Sequence, residues 1–114
     1  MPSDARQFLF DIATAADAIG QFTQGRTLAD FDDNLMLRSA CERQFEIIGE
    51  AMMRLRDRHP DVFDDVPAAH AIVAFRNRLI HGYDSVDSAI VWDVITRKLG
   101  DLARVVRHLL DERS

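Results

Sequence analysis

The stretch Leu37-Arg38-Ser39-Ala40-Cys41-Glu42-Arg43-Gln44-Phe45-Glu46-Ile47-Ile48-Gly49-Glu50-Ala51-Met52-Met53-Arg54-Leu55 decides the fold. Its apolar residues Leu37, Cys41, Phe45, Ile48, Met52 and Leu55 recur at steps of four, four, three, four and three. That spacing returns to one side of an α-helix and is close to a heptad seam. The spacing predicts one long helix from about Asp33 to Arg58. Gly49 is out of place in it, because mid-helix glycine costs ~1 kcal/mol relative to Ala. Close approach of another helix accounts for that glycine. Glu42, Glu46 and Glu50 form a row on one side, and Arg43, Arg54 or Arg76 could pair with it. With no second acidic row and no inward-facing histidine, the row does not read as a metal site.

Working outward, similar seams appear on both sides. Phe8, Ile12, Ala16, Ile19 and Phe22 mark a first helix from about Asp4 to Thr23, capped by Ser3 or Asp4 and ended by Gln24-Gly25-Arg26. Thr27-Leu28-Ala29-Asp30 has the form of a variant capping box opening a short turn or helix. Pro60 stops the long helix, and His59 to Pro67 is the one extended connection. Pro67 suits the first turn of a third helix that ends near His81 and buries Ile72, Phe75, Leu79 and Ile80. Asp87 caps a fourth helix to about Asp111, with Val91, Ile95, Leu99, Leu102, Val106 and Leu109 as its seam. Trp92 beside that seam reads as packing. The expected architecture is all-α, an up-down bundle of four main helices plus a short one, forming a single domain over 1–114. Surplus apolar residues at Met36, Ile47, Met53, Ile90, Val94, Val105 and Leu110 exceed what one seam needs. They point to a two-fold homodimer.

Composition narrows the function classes. Hydrophobic residues make up 47% and charged residues 29%, an ordinary globular balance rather than a disordered one. The net charge of −5 argues against a general nucleic-acid coat but not against RNA at one local site. The single cysteine, Cys41, excludes an internal disulfide and reads as core, so a reducing cytoplasm is the expected location. No apolar run approaches the ~20 residues of a membrane span, and no signal peptide opens the chain.

The chemistry concentrates in Arg76-Asn77-Arg78-Leu79-Ile80-His81-Gly82-Tyr83. Asn77 and His81 are four apart and can hydrogen-bond on one helix face. Arg76 and His81 are five apart, about 140° around the axis, so only a long side chain could bring them together. Gly82 suits the position just past a helix end, placing His81 in the last turn, where the helix dipole favours a cation. Imidazole beside guanidinium suits phosphodiester chemistry, one exchanging protons with a 2′-hydroxyl or leaving oxygen, the other stabilising charge on phosphorus oxygens. The bland alternative has His81 capping helix carbonyls, Arg76 and Arg78 in water, and Tyr83 filling a core edge. Spacing alone does not choose between them.

Phe45-Glu46-Ile47-Ile48-Gly49-Glu50-Ala51, then Val66-Pro67, then Arg76 to Tyr83 together resemble the HepT-like branch of the HEPN superfamily. Gln24-Gly25-Arg26-Thr27-Leu28-Ala29-Asp30-Phe31 is similar to that family's first interhelical turn. The resemblance implies a homodimeric toxin of a prokaryotic type VII toxin–antitoxin system, acting as a metal-independent endoribonuclease without a cofactor. The family motif Arg-x4-His-x-Tyr falls on Arg76, His81 and Tyr83. Arg76 and His81 would be catalytic, and Asn77, Arg78 and Tyr83 would orient groups or bind RNA. A small nucleotidyltransferase antitoxin would neutralise the toxin by binding it and by transferring AMP to Tyr83. Ala68 follows Pro67 where family members often carry Trp, which implies altered local packing with the motif intact. The rival reading is a non-catalytic helical module that binds, and is modified by, a nucleotidyltransferase.

Overall fold

The apolar seams close on one another as helices. A computed structural model describes residues 1–82 and 86–112. Helix α1 spans Ser3–Thr23, α2 Leu28–Asp33, α3 Leu35–Arg58, α4 Pro60–Asp64 and α5 Ala69–His81. The chain closes with a rod made of α6 (Ser88–Asp93), a π turn (Val94–Lys98) and α7 (Leu99–Glu112). The fold is all-α, and no strand occurs among the described residues.

Helix α3 is the spine. Each member of its seam, Leu37, Cys41, Phe45, Ile48, Met52 and Leu55, is buried. Asn34 caps its start, the side-chain oxygen accepting from the Leu37 N–H at 3.0 Å. Against the spine lie α1, with Leu9, Ile12 and Ile19 fully covered, and α5. α7 packs on α1 and adds Leu102 and Val106 to the same core. Each such side chain contributes on the order of 1.5–3 kcal/mol by leaving water, which is what holds the bundle. Burial also pushes the Cys41 thiol up to about 11, with Glu42 adding to the effect, so Cys41 is a core residue.

The capping box at Thr27 is present. The Thr27 hydroxyl accepts from the Asp30 N–H at 3.2 Å, and the Asp30 carboxylate accepts from the Thr27 N–H at 3.0 Å. These bonds hold the Asp30 carboxyl below its ordinary range. The short helix α2 buries Phe31, whose ring lies 5.3 Å from that of Trp92. Trp92 therefore packs, as its position beside the seam suggested.

Several expectations need correction. Phe22 leaves the α1 seam, 38% exposed, because a step of four from Ile19 reaches Thr23 instead. Thr23 is buried, and its hydroxyl donates to the Ile19 carbonyl at 2.8 Å. Residues His59 to Pro67 are not extended. Pro60 opens α4, a first-turn position where its missing N–H costs nothing, and Val62 and Phe63 turn into the core. α5 starts at Ala69 rather than Pro67, after a turn in which the Ala69 N–H donates to the Val66 carbonyl at 3.1 Å. In α5 Ile80 is 38% exposed, while Ile72, Val73 and Phe75 are buried. The step from Ile72 to Ile80 is eight residues, which carries Ile80 about 80° round the axis and onto the flank.

The fourth helix is not uniform. Between α6 and α7 the Leu99 N–H reaches the Val94 carbonyl, five residues back, and the Thr96 hydroxyl donates to the Trp92 carbonyl at 2.9 Å. Its seam is nevertheless buried throughout, from Val91 to Leu109. Of the surplus apolar residues, Val94 belongs to the core and Ile47, Met53, Val105 and Leu110 are partly covered. Met36 and Ile90 remain 79% and 39% exposed. Among the described residues no helix is long and apolar enough to cross a membrane.

Candidate active site

Helix α5 is chemically unlike the other α-helices. Ala69–His81 contains no aspartate or glutamate, whereas α1, α2, α3, α4, α6 and α7 each contain at least one. In a chain of net charge −5 it therefore carries Arg76, Arg78 and His81 with no carboxylate of its own to neutralise them. Several arginines elsewhere are paired with carboxylates: Arg43 with Glu46, Arg54 with Glu50, Arg97 with Asp93 and Arg104 with Asp101. Arg107 pairs with Asp17. The carboxylate row of α3 is thus engaged by its own helix, and Glu50 meets Arg54 at 2.8 Å rather than the motif. Burial holds the Glu42 carboxyl above its ordinary range; Arg38 opposes this and Glu46 reinforces it.

The seating of α5 on α3 positions the motif. Phe75 meets Phe45 across the helix crossing, and one residue further along Arg76 lies against Gly49. A Cβ built on Gly49 would stand 2.3 Å from Cγ of Arg76 and 2.4 Å from its Cβ. The close approach expected at Gly49 is therefore real, and the group that approaches is the stem of the motif arginine. At the far end of that stem Nη1 donates to Oδ1 of Asn77 at 3.1 Å. Nε of Arg76 is buried with no hydrogen-bond acceptor among the described residues.

The expected link between Asn77 and His81 is absent among the described residues; the Asn77 oxygen accepts from Arg76 instead. His81 sits exposed in the last turn of α5, and Arg78 is exposed beside it. Five residues of helix separate His81 from Arg76 by about 7.5 Å along the axis and about 140° around it. One chain thus holds Arg76 half-buried against α3 and points His81 at solvent. Gly82 closes the helix with φ −70°, an extended conformation, and its N–H donates to the Arg78 carbonyl at 2.9 Å. Gly82 thus follows the helix end as expected, with His81 in the last turn. Tyr83 lies outside the described residues. A cleft of about 640 Å³ runs between α1 and α7, lined by Arg6, Gln7, Phe10, Arg107 and Leu110 among others, and no motif residue borders it.

Three comparisons bear on these residues. The sequence profile of the family described as ribonuclease HepT-like matches residues 12–109, which takes in α3, α5 and most of the closing rod. The chain belongs to the HepT-like ribonuclease family. It is 32% identical over 103 residues to the protein named "Putative RNase MJ1380" of Methanocaldococcus jannaschii, covering 90% of this chain and 94% of that one. It is 29% identical to "Putative RNase TTE0752" of Caldanaerobacter subterraneus, covering 96% of each chain. It is 28% identical to "Probable ribonuclease HepT" of Thermococcus cleftensis, covering 90% and 92%. No solved structure gives a significant match. HepT-like membership agrees with the resemblance read from Phe45–Ala51, Val66-Pro67 and Arg76–Tyr83.

Proposed function

We propose that this HepT-like chain is the toxin of a type VII toxin–antitoxin pair and cleaves RNA as a metal-independent endoribonuclease. The observation that carries the reading is α5. It is a helix without carboxylates, with a seated arginine and an exposed histidine, in a family whose members are named ribonucleases. RNA is the anion such a helix would meet. Phosphate oxygens would engage Arg76, and Arg78 would hold the neighbouring backbone.

In-line cleavage starts when the substrate 2′-oxygen attacks phosphorus and gives up its proton to one His81 imidazole. The 5′-oxygen leaves as the P–O bond breaks and takes a proton from a second imidazolium. The products are a 2′,3′-cyclic phosphate and a 5′-hydroxyl end, and no water or metal is consumed. Arg76 stabilises the charge that builds on the phosphorus oxygens. One chain supplies one motif histidine on an open surface, so a two-fold dimer bringing two copies of α5 to one cleft supplies the second. Exposed Ile80 on α5, and Leu35 and Met36 at the start of α3, are apolar surface available for such contacts.

A nucleotidyltransferase antitoxin would silence the enzyme by binding and by transferring AMP to Tyr83. The added phosphate would occupy the space of RNA phosphate and repel it. The acidic net charge and the open setting of the motif favour one other reading, a non-catalytic module that partners the nucleotidyltransferase.

The test is RNA cleavage by wild-type and His81→Ala protein in excess EDTA, with unmodified Tyr83 verified by mass spectrometry. Cyclic-phosphate ends from the wild type, lost in the variant while dimerisation persists, are expected. A folded, unmodified dimer that leaves a range of RNAs intact would favour the partner-binding module.

A further inference from the structure

We infer that Gly49 is a positioning residue for the motif: its missing side chain forms the seat that fixes the Arg76 guanidinium. The inference rests on the ribonuclease reading above and assigns part of that site to a different helix.

Three observations meet at this point. Any side chain at position 49 would collide with the Arg76 stem, since its Cβ would stand 2.3 Å from Cγ, 2.4 Å from Cβ and 3.0 Å from Cδ. All three atoms belong to the near end of the side chain, and one of them, Cβ, is bound directly to the α5 backbone. Rotation at the far end therefore cannot relieve the clash. Either α5 withdraws or Arg76 takes a different χ1, and both move the guanidinium by roughly 1 Å or more. Second, Nε is buried with no acceptor among the described residues, so packing and not a hydrogen bond holds the inner part of the fork there. Third, among the described residues the fork donates one hydrogen bond, to Oδ1 of Asn77, the next residue on the same helix. Asn77 moves with α5 and cannot register Arg76 against the rest of the fold. The seat at Gly49 on α3 does that.

The stabilisation of a phosphorane-like transition state by a guanidinium depends on placement before reaction. A misplacement near 1 Å from a change outside the reacting groups can cost about 100-fold in rate. Ground-state binding of RNA draws on many backbone contacts and depends far less on one such placement. Gly49 therefore affects kcat and leaves KM nearly unchanged.

The experiment compares wild type, Gly49→Ala, Arg76→Gly and the double variant as dimers, by cleavage kinetics and by thermal unfolding. Gly49→Ala is expected to lower kcat by about 10- to 100-fold with KM within about twofold. Arg76→Gly is assayed with added guanidinium ion, which replaces the lost group. In that background Gly49→Ala is expected to change neither the rescued rate nor KM, because no stem remains to displace. Thermal unfolding follows the same logic: Gly49→Ala lowers Tm in the wild type and leaves it equal or higher in Arg76→Gly, where alanine is the better helix former.

Wild-type kcat in Gly49→Ala, or an equal loss with and without the Arg76 side chain, would overturn the assignment. If Gly49→Ala alone does not fold, the double variant decides. Recovery of folding and guanidinium-dependent cleavage supports the seat, and failure to recover rejects it. If the wild type cleaves no RNA the ribonuclease reading fails, and the Tm pair still judges whether position 49 seats Arg76.

Discussion

Phe45 of α3 and Phe75 of α5 meet edge to face, their ring centroids 5.0 Å apart and their planes at 83°. This contact sets the crossing at which Arg76, the next residue, reaches Gly49. Such aromatic pairs add about 0.5–1.5 kcal/mol beyond the area they bury. Phe75→Ala is expected to cost about 3 kcal/mol or more. Urea unfolding followed by circular dichroism measures it. Phe75→Leu keeps most of the volume and is expected to cost less than half as much; equal losses would mean that α5 is held elsewhere.

The glycines separate by geometry. Gly25 has φ +73°, a left-handed conformation, so Gly25→Ala is expected to destabilise by about 1 kcal/mol although no described residue beyond its chain neighbours lies within 4 Å of its new Cβ. Gly20 and Gly100 lie in α1 and α7 with equally open surroundings and helical backbones. Changing either to Ala is expected to stabilise by up to about 1 kcal/mol through helix propensity. Thermal melts of the three single variants read opposite signs from the same substitution.

Cys41 gives a pH prediction. Its folded thiol is pushed up from 9.0 to about 11, so the neutral form is favoured in the folded chain. A raised value contributes stability that is whole below about pH 9 and is lost as pH rises from there towards 11. The loss is roughly 2–3 kcal/mol. Cys41→Ala, though less stable at pH 7, should show a shallower alkaline limb in a series of melts between pH 8 and 11. A matching measurement is thiol labelling at pH 8, which should proceed only as fast as the fold opens.

Arg78 is exposed and carries no ion pair among the described residues, so its contribution should be electrostatic. Arg78→Ala is expected to weaken RNA binding and to flatten its dependence on salt by ~0.7 in log–log slope, the release of one counterion from a single strand. Its kcat should change little, in contrast to Arg76→Ala and His81→Ala. A salt titration of binding together with saturation kinetics separates the three.

The α3 seam was legible in the sequence because six apolar residues at helical spacing leave no other way to bury them together. The capping box at Thr27 and Asp30 was legible because its partners are only three residues apart. What escaped notice depended on contacts across the fold or on signals with two meanings. Pro60 ends one helix and begins the next, and only the burial of Val62 and Phe63 shows the second role. Val91, Ile95 and Leu99 share a face in either α or π geometry, so their pattern hides the π turn. In the site, Gly49 announced a close approach without saying what approached. Asn77 had two neighbours within reach, and the lie of the Arg76 side chain decided between them. The family resemblance therefore pointed to Arg76, His81 and Tyr83, while the lie of Arg76 against α3 emerged only from the fold.

The π turn makes the closing rod the place where this chain has slack in its length. A π turn accommodates one more residue than an α turn between the same flanking faces. Removing Arg97, whose side chain is 79% exposed, would let the turn close as ordinary α-helix while Val91 and Leu102 stay on the core side. The same deletion within α7 would rotate everything beyond it by about 100° and turn Leu109 to water. The widened coil at Val94–Lys98 thus carries one residue more than an α turn would, without a change of phase in the last helix.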